Sequence, residues 1–316
     1  MLSLNIEKNK IKIINIQRPE IYESHEAIIM VTSSTISERD RFFEHYTKPI
    51  NYVPGSEFAG HIVEIGSDVN KFDINDLVIN NSKIEASQDI FFGTPKLPGG
   101  HAEYVKIPYA DKNLVKINPA IEERAVLLGG DYSSGYFCID NFIKSYSSIK
   151  TFTMNGFYNS TIGAIHYLSK KKDYNIYAKE KNIFKKKIYG NLVNKVYSSK
   201  IPVSDALVVG LIEDQNDLYK TISENDFKKI IFIEEQSSSL FLSKYKIKKD
   251  IIFRPERPTT KKVELLVQKL MIKSIELTAL VSHVIPIQDS ISAYKLYKKE
   301  NTTSAVSYTH LRAHET

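Results

Sequence analysis

Ser56 and Glu57 stand next to each other at a predicted bend in the segment VPGSEFAGHIVEIG. A hydroxyl and a carboxylate at one place can bind and orient a polar substrate, whereas a bound metal normally requires histidine or cysteine as well. The chain has one cysteine, Cys138, so an internal disulfide framework and a site with several cysteine ligands are excluded. These residues therefore favour chemistry performed by hydroxyl and carboxylate groups.

A second candidate site is the segment NGFYNSTIG, which follows the predicted strand IKTFTMNG. In a dinucleotide-binding fold, one glycine forms the turn, a second lets the backbone approach the pyrophosphate, and a third lets the helix pack on the sheet. Gly156 supplies the first, Tyr158 stands where no side chain is wanted, and Gly163 is the third only with a small insertion. Amides at the helix N-terminus and the side chains of Asn159 or Ser160 can hold phosphate instead.

Charged residues follow the next predicted strand, YNIYAKE. Glu180, at its end, stands where an acid would bind the ribose hydroxyls of a dinucleotide, which favours NAD. Lys179, Lys181 and Lys185 favour the additional phosphate of NADP instead, and both alternatives remain open. Each of these residues can also be a solvated charge at a strand end with no role in binding.

Two kinds of predicted element must position these residues. Residues 1–118 contain short β-branched segments separated by Gly, Pro, Asn and Asp, namely KIKIINI, EAIIMVTSS, HIVEIG, DLVINN and AEYVKI. They predict strands in a compact barrel-like β domain. The segment EERAVLLGGDYSSGYFCIDNFI then has helical spacing, interrupted at Gly129 and Gly130.

Strands and helices follow each other in turn after Ser148. The strands are runs of apolar residues that do not alternate with polar ones. This rhythm predicts a parallel sheet covered by helices on both faces. We therefore predict an α/β protein with a β-barrel domain at residues 1–118 and a doubly wound, Rossmann-like domain at residues 119–279. Residues 280–306 are predicted to return to the first domain.

Composition indicates the class of protein. The 316 residues are 42% hydrophobic and 25% charged, and no apolar run approaches the ~18 residues that cross a bilayer. We therefore expect a cytoplasmic protein with no membrane partner. The net charge of +6 comes from scattered lysines, which argues against nucleic acid as a partner because binding would need a concentrated basic stripe. Residues 307–316, SYTHLRAHET, break the residue usage of the rest, so we expect a non-native tail.

Three blocks of the sequence resemble the medium-chain dehydrogenase/reductase family, most of all its zinc-type alcohol dehydrogenase branch. They are PGSEFAGHIVEIGSDVNKFDINDLVI, GGHAEYVKIPYADKNLVKI and LVSHVIPIQDSISAYKLYKK. The resemblance extends over nearly all of residues 1–306. It implies a GroES-like catalytic domain, a Rossmann domain that binds NAD or NADP, and an active-site cleft between them.

The resemblance also indicates which residues would bind catalytic zinc. In that branch the zinc takes a cysteine, a histidine and a third Cys, Asp or Glu. The corresponding positions are Ser37, Ser56 and Gly130, with Asp131 next to the last. A serine hydroxyl competes poorly with thiolate or imidazole for zinc, so we expect no catalytic zinc. The cysteines of a structural zinc lobe are also absent from NNSKIEASQDIFFGTPKLP.

These observations predict a zinc-independent oxidoreductase that transfers a hydride between NAD or NADP and a small alcohol, carbonyl, quinone or enone. The candidate catalytic residues are Ser37, Arg39, Asp40, Ser56, Glu57 and Asp131. The candidate cofactor-binding residues are Ser134, Gly156, Asn159, Ser160, Gly163, Glu180 and Lys185. Nearby histidines, His61 and His101, are expected to be structural or on the surface.

Two alternatives stay open. The chain can be a catalytically impaired pseudoenzyme of the same fold that serves as a binding or scaffold protein. Whether or not the chain is an enzyme, Asp40 and Glu57 can also be buried carboxylates that accept backbone N–H bonds and fix loops. Relatives often form dimers through the edge of the Rossmann sheet, and DIIFRPE is the candidate edge strand for a homodimer.

Overall fold

The computed structural model describes residues 1–8, 10–36, 40, 51–84, 90–233, 235–248, 251–253, 258–297 and 304–308. The chain divides into two compact units. The first contains Met1–Gly130 together with Thr259–Thr316, and the second contains Asp131–Pro258. The boundaries expected from the sequence, after residues 118 and 279, differ from this division, because residues 119–130 and 259–279 group with the first unit.

The strands of the described residues are numbered in chain order. They are β1 (Leu2–Glu7), β2 (Lys10–Asn15), β3 (Ala27–Ile36), β4 (Asn51–Tyr52), β5 (Phe58–Ile65), β6 (Leu77–Asn80), β7 (Tyr104–Ile107), β8 (Leu114–Lys116), β9 (Thr151–Asn155), β10 (Asn175–Lys179), β11 (Lys195–Tyr197), β12 (Ala206–Val209), β13 (Lys229–Phe232), β14 (Ile252–Phe253), β15 (Val281–Pro286) and β16 (Ser304–Tyr308).

The α-helices of the described residues follow the same order. They are α1 (Ala110–Asn113), α2 (Glu122–Ala125), α3 (Asp131–Ser145), α4 (Asn159–Ser169), α5 (Ile183–Tyr189), α6 (Gln215–Ser223), α7 (Glu235–Tyr245), α8 (Thr260–Met271) and α9 (Ser290–Tyr297). Among them, none combines the length and the apolar composition needed to span a bilayer.

Two sheets build the first unit within the described residues. The larger has the order β15-β16-β3-β5-β6-β8, with β7 also paired to β3, and the smaller has the order β2-β1-β4. In the antiparallel pair of β3 and β5, Ser34 lies opposite Phe58. This register brings the polar end of β3 beside the bend that contains Ser56 and Glu57. The apolar residues of the same strands, such as Ile62, form the core.

A six-stranded parallel sheet forms the second unit within the described residues. Its order is β11-β10-β9-β12-β13-β14, and every neighbouring pair is parallel. All four residues of β12 are buried, as expected for a strand covered on both faces. The chain progresses from β9 toward β10 in one direction and continues from β12 in the other. The point between β9 and β12 is therefore where a ligand crevice is expected, outside the carboxyl ends of the strands.

Helix α8 explains why residues 259–279 lie with the first unit. It has an apolar stripe of four buried residues, Val263, Leu266, Val267 and Leu270. The Thr260 hydroxyl at its start donates a hydrogen bond to the Lys112 carbonyl next to β8. A helix with one apolar stripe must bury it against another layer, and here that layer belongs to the β unit.

The predicted fold class and the order of a β domain before a parallel α/β domain are confirmed. Strands β1 and β11 and helix α7 are among the elements that were not predicted. Helix α7 has the sequence EQSSSLFLSKY, in which three consecutive serines weaken the helical pattern. Ser307 and Tyr308 of the expected non-native tail lie in β16, which pairs with β3, and residues 309–316 lie outside the described residues.

Candidate functional site

The end of β3 in the first unit carries four consecutive hydroxyl side chains. They are Thr32, Ser33, Ser34 and Thr35. The hydroxyls of Thr32 and Ser33 both donate to Glu122 Oε1, at 2.6 and 2.9 Å. The strand register shifts between Val31 and Ser33, which accounts for two neighbouring side chains reaching the same acceptor. We call these four residues the hydroxyl row.

Glu57 is completely buried and is held by the hydroxyl row. Thr35 Oγ1 donates to Glu57 Oε2 at 2.8 Å, and the Thr35 amide donates to the Glu57 carbonyl at 2.9 Å. Gly130 lies against the same carboxylate, because a Cβ added to Gly130 would collide with Glu57 Oε1. The structure thus brings Glu57 to the position that the resemblance gave to a third metal ligand.

Ser56 is fixed by the side chain of Asn80. Asn80 Nδ2 donates to the Ser56 carbonyl at 2.9 Å, while Asn80 Oδ1 accepts from the Phe58 amide at 2.8 Å. The amide group of Asn80 therefore pairs with the backbone on both sides of Glu57. Ser56 itself is 2% exposed. The bend is rigid because a buried side chain satisfies its backbone groups.

Asp40 lies next to this bend. Its carboxylate accepts a hydrogen bond from the Gly55 amide at 2.9 Å, and its exposed fraction is 2%. Gly55 has a φ of 96°, a left-handed conformation that glycine adopts without strain. The two other residues predicted on this side, Ser37 and Arg39, lie outside the described residues.

His101 is a buried histidine that the sequence analysis did not include among the candidate catalytic residues. Its Nδ1 is 2.7 Å from Ser34 Oγ, and its ring packs edge-on against Tyr294 with the centroids 5.8 Å apart. Burial lowers the pKa of His101, and the negative charge of Asp40 opposes that shift. Within the described part of the chain, His101 Nε2 is buried without a hydrogen-bond partner.

In the second unit, β9 ends at Asn155 and the chain turns at Gly156, which has a φ of 93°. Helix α4 begins three residues later, at Asn159. The Thr161 hydroxyl accepts from the Tyr158 amide at 2.8 Å and donates to the Gly156 carbonyl at 2.8 Å. The loop between β9 and α4 is therefore closed by its own residues, and Asn159 and Ser160 are buried at the start of the helix.

Glu180 contacts this loop from the end of β10. Its carboxylate accepts from the Phe157 amide at 2.9 Å and from the Asn182 amide at 2.8 Å. The parallel pairing of β9 and β10, with Lys179 opposite Asn155, places the two strand ends side by side. The acid at this position was predicted from the sequence, whereas its bond to the Phe157 amide was not.

The three lysines predicted near Glu180 differ in their partners. Lys179 is buried and donates to Asp217 Oδ2 at 2.6 Å and to Thr221 Oγ1 at 2.5 Å. Lys181 pairs with the other oxygen of Asp217 at 3.0 Å. The ammonium group of Lys185 lies 4.5 Å from the centre of the Tyr158 ring. Two of the three lysines therefore share the single carboxylate of Asp217.

The remaining predicted residues lie on α3 and α4. Asp131 and Ser134 are buried in the first turns of α3. Gly163 faces α3, because an added Cβ would collide with the Tyr132 carbonyl. Gly163 therefore allows α3 and α4 to approach each other. As a possible third glycine it was expected to let α4 pack on the sheet, but the close contact that it allows is with α3.

Comparison with known proteins gives the context of these sites. Residues 23–119 match the family model of the alcohol dehydrogenase GroES-like domain. Zinc-type alcohol dehydrogenase B of Aspergillus flavus is 30% identical over 148 residues, which cover 41% of this chain and 34% of that protein. The first four curated relatives are matched over 30–47% of their own length.

Two solved structures have the same fold over nearly the whole chain. The alcohol dehydrogenase rspB from E. coli CFT073, solved with NADH, has a TM-score of 0.76 at 16% identity and covers 98% of this chain and 99% of its own. The quinone oxidoreductase of Coxiella burnetii has a TM-score of 0.75 at 14% identity, with the same coverage. The chain therefore contains an alcohol dehydrogenase GroES-like domain at residues 23–119 and has the fold of these oxidoreductases as a whole.

The residues at the expected zinc positions do not fit a tetrahedral zinc ion. Among the described residues, no three His, Cys, Asp or Glu side chains are grouped so that they could share a metal ion. Ser56 offers a hydroxyl, and Gly130 offers no side chain. Zinc prefers thiolate, imidazole and carboxylate donors, so one carboxylate, that of Glu57, is too few.

The loop after β9 fits a dinucleotide in three respects. It has a left-handed glycine at the turn, a helix N-terminus directly behind it, and an acid at the end of the neighbouring strand. Tyr158 is the departure from that pattern. Its side chain stands where the pattern calls for backbone without a side chain.

The hydroxyl row and His101 are the site residues that sequence reasoning missed. Ser34 and His101 are 67 positions apart, and only the fold brings them into contact. The run TSST was nevertheless a signal, because four hydrogen-bonding side chains in a predicted strand need partners if the strand is buried.

Proposed function

We propose that this chain is a medium-chain dehydrogenase/reductase, namely a zinc-independent oxidoreductase that transfers a hydride between a nicotinamide cofactor and a small carbonyl, alcohol, quinone or enone. The observation that carries the proposal is the contact of Glu180 with the loop after β9, where its carboxylate accepts from the Phe157 amide. Turn glycine, helix N-terminus and ribose-binding acid then lie at one place, as dinucleotide binding requires. The NADH complex of the related E. coli enzyme supports the cofactor class.

The proposal of zinc independence rests on the side chains at the expected zinc positions, which are poor zinc ligands. A metal in this family stabilises negative charge on the substrate oxygen, and without it a hydrogen-bond donor must do so. Ser56 is the proposed donor, since its backbone is fixed by Asn80. The likeness to the fold of a quinone oxidoreductase is consistent with substrates whose double bonds are already activated.

The neighbouring residues hold the donor in place. Asp40 accepts from Gly55 and Thr35 donates to Glu57, so the backbone on either side of Ser56 is anchored by a buried carboxylate. A nicotinamide held at the loop after β9 would supply the hydride. Ser56 orients the substrate oxygen, and such fixed positioning contributes to rate because no reorganisation is needed during the reaction.

The proposal is tested by following nicotinamide absorbance with NADH or NADPH and a panel of quinones, enones and aldehydes, before and after treatment with a zinc chelator. We expect turnover that the chelator does not change. Ser56→Ala should lower kcat/KM about 100-fold, the usual effect of removing one such donor. Ser67→Ala, on an exposed turn of the same unit, is the matched control and should keep the wild-type value. Turnover that chelation abolishes and added zinc restores would disprove zinc independence.

A second candidate function is a binding or scaffold protein without catalysis. The observation that favours it is the Tyr158 ring on Gly156, since a Cβ at Gly156 would lie 2.5 Å from Tyr158 Cε2. This candidate predicts no binding of either nicotinamide cofactor to the wild-type protein. The two functions are therefore separated by one binding measurement.

A further inference from the structure

The ring of Tyr158 lies over the carboxyl ends of two neighbouring strands. A Cβ on Gly156, after β9, would lie 2.5 Å from Tyr158 Cε2 and 3.2 Å from its Oη. A Cβ on Gly210, after β12, would lie 3.3 Å from Tyr158 Cδ2. Since β9 and β12 are adjacent, the ring spans the point where the strand order of the sheet reverses.

That point is where open parallel sheets bind their ligands, and the diphosphate of a dinucleotide needs a backbone without side chains there. Tyr158 is 8% exposed, so its ring is seated in the crevice and does not extend into solvent. Two amides of the loop, those of Phe157 and Tyr158, already have partners in Glu180 and Thr161. The Tyr158 ring thus fills the crevice, and two backbone amides that could bind phosphate already donate to side chains of the chain itself.

Lys185 lies on the ring from α5, with its ammonium group 4.5 Å from the ring centre. A cation on an aromatic face is held less strongly than one paired with phosphate. The same ammonium group can therefore exchange the ring for a diphosphate if the ring leaves. Lys179 and Lys181 are each held by a carboxylate oxygen of Asp217, whereas Lys185 lies on an aromatic ring that it can leave at a lower cost.

We propose that Tyr158 is a built-in occupant of the dinucleotide crevice, which a bound diphosphate must displace, and that Lys185 moves from the ring to the diphosphate when this happens. Tyr158 then determines the affinity for the cofactor without taking part in the reaction. The inference rests on the proposed nicotinamide site and states what limits binding to it.

The test is titration of NADH into the full-length wild type, Tyr158→Ala and Tyr158→Phe. Removal of the ring should lower the dissociation constant at least tenfold. Tyr158→Phe keeps the ring, is the matched control, and should bind as the wild type does. The double variant Y158A/K185Q should lose most of the gain.

The outcomes separate this inference from the proposed function. Equal binding by wild type and Tyr158→Ala, or an equal gain in Tyr158→Phe, overturns the inference and leaves the proposed function intact. Binding by Tyr158→Ala alone supports the inference and refutes cofactor use by the natural chain. Absence of binding to every variant overturns both.

A measurement on the wild type covers the case in which Tyr158→Ala does not fold. Protein labelled with fluorotyrosine gives one fluorine resonance that is missing from Tyr158→Phe, which assigns it. Addition of ADP should move this resonance toward the position of a solvent-exposed tyrosine. A resonance that stays in place at saturating ADP contradicts displacement of the ring.

Discussion

At the scale of single residues, the polar groups of the first unit are defined by their partners. Glu57 is fixed by Thr35, and Asp40 is fixed by Gly55. His101 differs from them, because one ring nitrogen contacts Ser34 while the other is buried without a partner in the described part of the chain. A neutral imidazole is tolerated there, whereas an imidazolium would bring a charge into a buried site.

His101 should therefore make stability depend on pH. Its folded-state pKa is lowered from the ordinary value of 6.5, so the unfolded chain takes up the proton first as the pH falls. The stability that the folded protein gains by keeping His101 neutral is fully present above pH 6.5. It is lost as the pH falls from there toward the folded-state pKa. The loss is at most about 1.4 kcal/mol per pH unit.

The measurement is the free energy of unfolding in urea at several pH values for wild type and His101→Gln. Wild type should lose more stability than the variant as the pH is lowered below 6.5. Any loss common to both proteins belongs to other titrating groups. Identical pH dependence of the two proteins would contradict the assignment of a neutral buried imidazole.

At the scale of elements, the sequence predicted the long strands and helices well because their periodicity is strong. Strand β12 reads as an uninterrupted apolar run and is buried on both faces. The short strand β11 and helix α7 were missed, because three residues and a serine-rich segment carry little pattern. The contact between α3 and α4 was also not predicted from the sequence, because its spacing makes Gly163 a possible third glycine of the phosphate-binding loop.

That helix contact gives a direct test. Gly163→Ala adds a methyl group against the Tyr132 carbonyl, so α3 and α4 must move apart. We expect a loss of about 1–3 kcal/mol in the free energy of unfolding, although alanine normally stabilises a helix.

The matched control is Gly190→Ala in the same unit. Gly190 has helical angles, and an added Cβ would meet its nearest neighbour, Val196 Cγ2, at an ordinary 3.6 Å. This substitution should be neutral or stabilise by up to about 1 kcal/mol. If chemical denaturation gave equal effects for the two variants, close helix packing at Gly163 would be ruled out.

At the scale of the whole molecule, the GroES-like domain and the fold class followed from the sequence, because the GroES-like blocks are specific. The site was predicted less completely. Glu57, Ser56 and Gly130 were found as positions in a motif, while the partners that fix them, Thr35 and Asn80, come from other strands. A motif gives residues that are near in sequence, and the hydrogen bonds that orient them depend on strand register.

The second unit gives the central claim, which is that a nicotinamide cofactor binds at Gly156 and Glu180. A control for that site exists on the same unit, because Glu224 is an exposed acid paired with Lys220 at 3.8 Å. Glu180→Gln removes the charge and one acceptor at the loop, whereas Glu224→Gln removes a charge at the surface. A difference in cofactor binding between these two variants therefore reports the contribution of Glu180 at the loop and not a general effect of removing one negative charge.

The most direct test is thermal unfolding of wild type, Glu180→Gln and Glu224→Gln at increasing NADH, repeated with NADPH. For wild type and Glu224→Gln, we expect the midpoint to rise with cofactor concentration, corresponding to about 2.7 kcal/mol at a hundredfold excess over the dissociation constant. Glu180→Gln should show little or no rise. A wild-type midpoint that does not respond to either cofactor at any concentration would contradict cofactor binding at this loop.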